Sequence, residues 1–147
     1  MPSGSYRVLQ VSWEEERVRL SAVRRQVFIE EQRVPEALEW DDADAVSLHV
    51  LAVSEDGEPI GTGRLLPDGH IGRMAVIAPW RGRGVGDAIL RTLVEAGTER
   101  GHGLLRLNAQ LSAIGFYERL GFEALGPVFD DAGIPHRAMR LTRQASR

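Results

Sequence analysis

Three glycines alternate with larger side chains in Arg81, Gly82, Arg83, Gly84, Val85 and Gly86, after an apolar run and before a segment of helical periodicity. Glycines at such a turn let successive backbone N–H groups converge on one anion with no side chain in the way. The start of the following helix adds unpaired amides and the positive end of its dipole, so the chemistry suits a phosphate or pyrophosphate. Arg81 and Arg83 are placed to add charge-assisted bonds to it. Spacing then separates the kinds of phosphate loop. A dinucleotide turn needs Gly-x-Gly-x-x-Gly, but counting on from Gly82 puts Asp87 in the last position and counting from Gly84 puts Ile89 there. A Walker-type loop needs a lysine, and all 18 basic residues of this chain are arginine. What remains is Arg81-x-x-Gly84-x-Gly86. The alternative, a glycine-rich turn that binds nothing, leaves two arginines there with little structural reason.

The elements that must position this loop follow from periodicity. Ser12 and Glu15 form a capping-box pair, and Leu20, Val23 and Val27 recur at helical spacing, which predicts a helix running to about Glu31. Pro35 ends it, and the acids Glu36, Glu39, Asp41, Asp42 and Asp44 read as a solvated loop. A cationic acceptor drawn to those five acids is the second reading, while a calcium site lacks the EF-hand spacing and its Gly. His49–Val53, Ile60–Leu66 and Ile71–Ile77 are apolar runs separated by turn residues, which predicts an antiparallel meander. Leu90, Leu93, Val94 and Gly97 share one face of a helix of about 14 residues after Gly86, closed by Arg100 and Gly101. Leu104–Asn108 reads as a strand, Ser112 as the cap of a short helix ending at Gly121, and Phe122–Leu125 with Arg137–Thr142 as two further strands. This order implies an α/β fold with a mixed, mostly antiparallel central sheet flanked by helices.

Composition bounds the rest. A chain of 147 residues with 43% apolar and 27% charged residues suits one soluble domain spanning 1–147. The absence of cysteine removes disulfides, thiolate catalysis and zinc–cysteine sites, and the absence of lysine removes Schiff-base chemistry. A net charge of −3 without a basic run gives no footprint for nucleic acid. No apolar run approaches the ~20 residues that span a bilayer, and the first residues lack a signal-peptide pattern, so a cytoplasmic protein without a membrane partner is expected.

The loop spacing resembles the acyl-coenzyme A motif of the GCN5-related N-acetyltransferase (GNAT) family. The agreement extends over nearly the whole chain. Arg24-x-x-Val27-Phe28-Ile29-x-Glu31-Gln32, Val34-Pro35, the acids from Asp41 to Asp44, His49, the run Gly72–Val76, Gly115-Phe116-Tyr117 with Gly121-Phe122, and Gly133-Ile134-Pro135-His136 resemble its ElaA-like subgroup. The resemblance implies a single-domain GNAT fold whose splayed strands form an acyl-CoA cleft. It also implies an acetyl-CoA-dependent N-acetyltransferase acting on a primary amine by direct attack on the thioester, without a metal, and a homodimer. A non-catalytic acyl-CoA binding or sensing module on the same fold is the second reading.

The same resemblance implies site residues. The pyrophosphate would sit on Arg81, Gly82, Arg83, Gly84, Val85 and Gly86, and the pantetheine arm would bond the backbone of Met74, Ala75 and Val76. Asn108 and Phe116 would flank that arm. Asn108 could equally be a polar strand end. Tyr117 aligns with the family's tyrosine general acid, although Ile114, Tyr117 and Leu120 also share a helical face and fit a core position. Glu31 and His49 are the candidates for the base that deprotonates the amine; the structural alternatives are a Glu31–Arg24 pair and a satisfied strand histidine. His136 is expected to line the acceptor pocket, and His70 and His102 to be solvated.

Overall fold

The computed structural model of the chain describes residues 4–143, and the signal-peptide expectation bears on first residues that lie in part outside the described ones. Strand β1 (Tyr6–Val11) leads into helix α1 (Trp13–Arg24). Ser12 caps α1 as its spacing predicts, its Oγ accepting the Glu15 N–H at 3.2 Å. The helix then loosens into a π-helical turn, Arg25–Glu31. Helix α2 (Glu36–Glu39) and a 3-10 turn (Asp42–Val46) follow. Strands β2 (Leu48–Ser54), β3 (Pro59–Leu65) and β4 (His70–Val76) form the meander. Beyond the glycine turn lie α3 (Val85–Glu99), β5 (Leu104–Gln110), the short α4 (Ile114–Glu118), and the hairpin of β6 (Glu123–Asp131) and β7 (Ile134–Thr142).

Among the described residues the strands form one mixed sheet in the order β1-β2-β3-β4-β5-β7-β6. Alternate side chains of β2 serve opposite faces. Leu51 and Val53 pack with Leu20 of α1, whereas Val50 and Ala52 join the main core with Ile89, Leu90 and Leu93 of α3. Helix α3 comes unusually close to β3 because β3 presents glycine: a Cβ at Gly63 would lie 2.6 Å from Leu93 Cδ1 and 2.8 Å from Ile89 Cγ2. That approach sets the height of the glycine turn above the sheet.

The sheet is nearly severed in the middle. Parallel β4 and β5 pair only at His70↔Arg106 and Ile71↔Leu107. Beyond these pairs β4 stays with β3, while β5 keeps β7 as its partner from Leu104↔Thr142 to Gln110↔His136. The two strands therefore diverge and leave a gap, the cleft that the resemblance implied.

One strand lies outside the expected elements, and two expectations need correction. β1 carries a mixed pattern, with Arg7 and Gln10 among its apolar residues, and forms the sheet edge through pairing with β2. The short helix after β5 is N-capped at Ala113 rather than Ser112, with a 3-10 turn at Leu111–Ala113 preceding it. The larger correction concerns the five acids between Glu36 and Asp44: Glu36, Asp41 and Asp42 are exposed, as a solvated loop requires, but Glu39 and Asp44 are not. Glu39 and Asp44 are buried, with Arg24 donating from Nε to Glu39 at 2.8 Å and from Nη1 to Asp44 at 2.8 Å. Arg64 donates to Asp44 at 3.0 Å and to Asp41 at 2.9 Å, and Arg73 meets Glu39 at 3.2 Å and Asp41 at 3.3 Å. The Arg24 guanidinium lies 5.4 Å from the Trp13 ring centroid and 5.0 Å from that of Trp40. Such charges are kept inside by being paired and hydrogen-bonded.

Candidate active site

The glycine turn takes backbone conformations that only glycine adopts without strain: Gly82 has φ +75° and Gly84, the N-cap of α3, has φ +83°. The first helical bond runs from the Ala88 N–H to the Gly84 carbonyl at 3.0 Å, so the amides just before it belong to the unpaired first turn. Tyr6 of β1 donates its hydroxyl to the same Gly84 carbonyl at 3.3 Å and sets its ring edge-on to Trp80 at 6.2 Å. Gly86 faces Phe116, whose Cζ would lie 3.5 Å from a Cβ placed there. The two arginines of the turn differ. Arg83 lies 5.1 Å from the Trp80 ring centroid and has no carboxylate partner among the described residues. Arg81 is engaged: Nη1 and Nη2 each donate to Glu31 at 2.7 Å, and Nε donates to the Val76 carbonyl at 2.8 Å. Its side chain is therefore held away from the turn that it was expected to serve.

Between the diverging strands lies a cleft of about 340 Å³. Met74 and Asn108 stand on its two sides, so the strand ends expected to flank an arm do share one cavity. Ala75 is buried against β3 through its register with Thr62, and the Val76 carbonyl is already taken by Arg81. Across the mouth, Gln110 Nε2 donates to Gln32 Oε1 at 2.9 Å, joining the end of β5 to the π-helical turn. That turn also brings Phe28 to the wall, in keeping with the concentration of π-bulges at functional sites. Gln32 enters the sequence reading only as part of the ElaA-like pattern and Gln110 not at all, because the strand end at Gln110 and the irregular helix at Gln32 are tertiary features. Arg73 adds strain, with φ +51° at a bulge in β4, and its guanidinium reaches the cleft wall.

Tyr117 is 8% exposed and lines the cleft, with its ring edge-on to Phe116 at 5.0 Å and to Phe122 at 6.1 Å. It is thus both a core ring and a cleft hydroxyl, and the two sequence readings do not exclude each other. Burial pushes the phenol up to about 12, and the hydroxyl has no protein partner among the described residues.

The two base candidates are placed elsewhere. Glu31 is half exposed in its bidentate pair with Arg81, and that hydrogen bonding holds its carboxyl below the usual range. Its partner is Arg81, not Arg24. His49 is 1% exposed, its ring tilted at 34° to that of Trp13 with centroids 5.3 Å apart, and Nε2 donates to the Asp44 carbonyl at 2.9 Å. Burial pushes its imidazole down, and it does not border the cleft. His136, by contrast, lines the cleft as expected. His70 borders it too, with Nδ1 3.3 Å from Asp68.

A mixed sheet parted beside a glycine turn on a helix N-terminus is the arrangement that the resemblance to the GNAT family implied, and it marks the class of fold to which the chain is compared. The family profile described as "Acetyltransferase (GNAT) domain" matches residues 11–143, and the chain belongs to that family. A Bacillus subtilis (strain 168) protein named "Uncharacterized N-acetyltransferase YjcF" is 39% identical over 122 residues, covering 80% of this chain and 86% of that protein. Protein ElaA of Escherichia coli (strain K12) is 30% identical over 128 residues, covering 82% of this chain and 83% of its own length. The crystal structure of E. coli ElaA superimposes with a TM-score of 0.80 at 26% identity, covering 93% of this chain and 98% of that one. An acyl-CoA N-acyltransferase from Pseudomonas aeruginosa gives 0.79 at 28% identity, covering 94% and 99%. No helix among the described residues is long and apolar enough to cross a membrane.

Proposed function

We propose that the chain transfers an acetyl group from acetyl-CoA to a primary amine, small or peptide-borne, by direct attack on the thioester in the β4–β5 cleft. The observation that carries this reading is the parting of β4 from β5 after two residue pairs, beside a turn whose amides precede the first bond of α3. An extended pantetheine arm fits such a gap as a strand would, bonding backbone around Met74 to Val76 on one side and Asn108 on the other. The pyrophosphate falls on the amides of Gly82 to Gly86, with Arg83 as the uncommitted cation and Phe116 beside Gly86. Arg81 acts through its backbone, its side chain being held by Glu31. Tyr117 donates to the departing sulfur.

Residues 1–147 act as one cytoplasmic domain that needs neither nucleic acid nor membrane. Homodimer formation would leave this cleft chemistry unchanged, since its proposed groups come from one chain. The test combines calorimetry with acetyl-CoA and a primary-amine panel read by a thiol-detecting reagent, for which a chain without cysteine contributes no background. Binding plus coenzyme A release with an amine supports transfer. Binding with no release across the panel favours the sensing module, and no binding removes both.

A further inference from the structure

The cleft still needs a group to take the proton of the acceptor ammonium, since Glu31 is spent on Arg81 and His49 lies outside it. Resting on the transferase reading above, we propose that His136 is this base, acting through Nε2. His136 is 9% exposed on β7 and borders the same cavity as Tyr117 and Asn108. Its Nδ1 is 2.7 Å from the Ile134 carbonyl. A carbonyl oxygen only accepts, so Nδ1 carries the hydrogen, and in the neutral ring the lone pair is left on Nε2. The Phe129 ring stacks on the imidazole at 6.0 Å and 25°, fixing its plane. Among the described residues Nε2 has no hydrogen-bond partner, and it is not one of the sealed, unpartnered side-chain atoms.

The other titratable and charged groups around the cavity are Glu39, Arg64, His70, Arg73, Tyr117 and Asp131. Glu39 accepts from Arg24 and meets Arg73, so its carboxylate is committed. His70, with Nδ1 3.3 Å from Asp68, stands opposite Arg106 where β4 and β5 are still paired, at the closed end of the gap, whereas His136 stands opposite Gln110 where the strands have parted; Asp131 is exposed at the hairpin end. Arg64 and Arg73 are permanent cations, and Tyr117 sits as an acid on the opposite side of the proton balance. His136 is therefore the cleft group with a free, oriented and basic lone pair. Asp131, on the strand paired with β7, and the arginines of the opposite wall are the charges that act on it.

The proton and electron balance closes. His136 Nε2 takes one proton from the ammonium and passes it to solvent. The freed nitrogen lone pair attacks the thioester carbon, the C–N bond forms and the carbonyl π pair moves onto oxygen. On collapse the C–S bond breaks, the thiolate takes the Tyr117 phenolic proton, and the phenolate recovers it from the nitrogen, which must lose its second proton to become an amide.

The test uses His136→Asn, whose side-chain amide can keep the bond to the Ile134 carbonyl while removing Nε2, and His136→Ala as a second variant. Both are assayed for acetyl-CoA binding by calorimetry and for kcat/KM against pH with the best amine of the panel. The expected result is acetyl-CoA affinity within about twofold and kcat/KM lower by roughly 10²–10⁴. The acidic limb of the wild-type profile disappears, and added imidazole partly restores His136→Ala. A variant that keeps kcat/KM within about threefold, or keeps the acidic limb, overturns the assignment while leaving the transferase reading standing. A wild-type protein that releases no coenzyme A with any amine overturns both.

Discussion

Tyr117→Phe removes one oxygen from the cleft and leaves the ring, so it separates the two things Tyr117 does. The ring is wedged between Phe116 and Phe122, and those contacts survive the change. The hydroxyl is held by no protein group among the described residues, so its loss strands no partner. Stability should stay level or rise slightly, with Tm within about 2 °C of wild type. Activity follows different arithmetic. The phenol sits at about 12, whereas an aliphatic thiol loses its proton near ~8.5. Handing the proton to the thiolate alone is uphill by roughly 3.5 units, or about 5 kcal/mol. Assistance is consequently counted as a hydrogen bond to a charged acceptor, completed as the nitrogen's proton refills the phenol. Such a bond contributes ~1.5–3 kcal/mol, which converts to a loss of roughly 10- to 150-fold in kcat. Steady-state release of coenzyme A, with acetyl-CoA affinity measured in parallel, reads this directly. A fully folded variant whose kcat stays within about twofold refutes the role, and one that fails to fold refutes the claim that the hydroxyl is structurally idle.

Glu31→Gln removes the bidentate anchor that, through Arg81, holds the backbone of the glycine turn in place, so acetyl-CoA affinity should weaken several-fold with kcat little changed; a collapse of kcat at constant affinity would instead make Glu31 the base. Gly84→Ala forces a Cβ onto φ +83° at the N-cap of α3, costing about 1–2 kcal/mol of stability, and calorimetry should show weaker acetyl-CoA binding. Arg24→Met leaves Glu39 and Asp44 short of their buried partner and should cost about 3–5 kcal/mol in a denaturant titration; a cost under ~1 kcal/mol would show that these carboxylates are relieved by water. His49 titrates below its ordinary 6.5 in the folded chain. The unfolded chain therefore binds the proton first, and this contribution is complete above the unfolded pKa and lost as pH falls through the window beneath it. Wild-type Tm should drop more between pH 7 and pH 5 than that of His49→Asn, and equal drops would refute the account.

Local chemistry made the donor half of the site readable. Gly82, Gly84 and Gly86 state their backbone requirement in their own identities, and the periodicity of Leu90, Leu93 and Val94 fixes the helix that follows. The acceptor half depends on distant partners. Glu39 and Asp44 look like solvated acids until Arg64, 20 residues beyond Asp44, and Arg73, 34 beyond Glu39, arrive through the meander. Glu31 reads as a base or as a partner of Arg24 until the fold brings Arg81 to it across 50 residues. His49 and His136 are alike as letters on strands. What separates them is that the hydrogen-bonded imidazole of His49 is sealed beneath Trp13, whereas that of His136 opens into the cleft. β1 escaped notice because an edge strand of mixed polarity resembles a polar terminus.

The two residue pairs that join β4 to β5 also bear on how the protein persists between turnovers. A sheet held at its waist by so little behaves as two cooperative units, one led by the meander and one by the β5–β7–β6 ribbon, and the ribbon should open and exchange its amides first. On the proposed reading the pantetheine arm is then a missing eighth strand, noncovalent and renewable. Each binding event would stitch the halves together and raise stability with the logarithm of donor concentration. The lifetime of the folded chain in a cell would then follow the supply of acetyl-CoA, making the enzyme's abundance, and not only its rate, responsive to the metabolite it consumes.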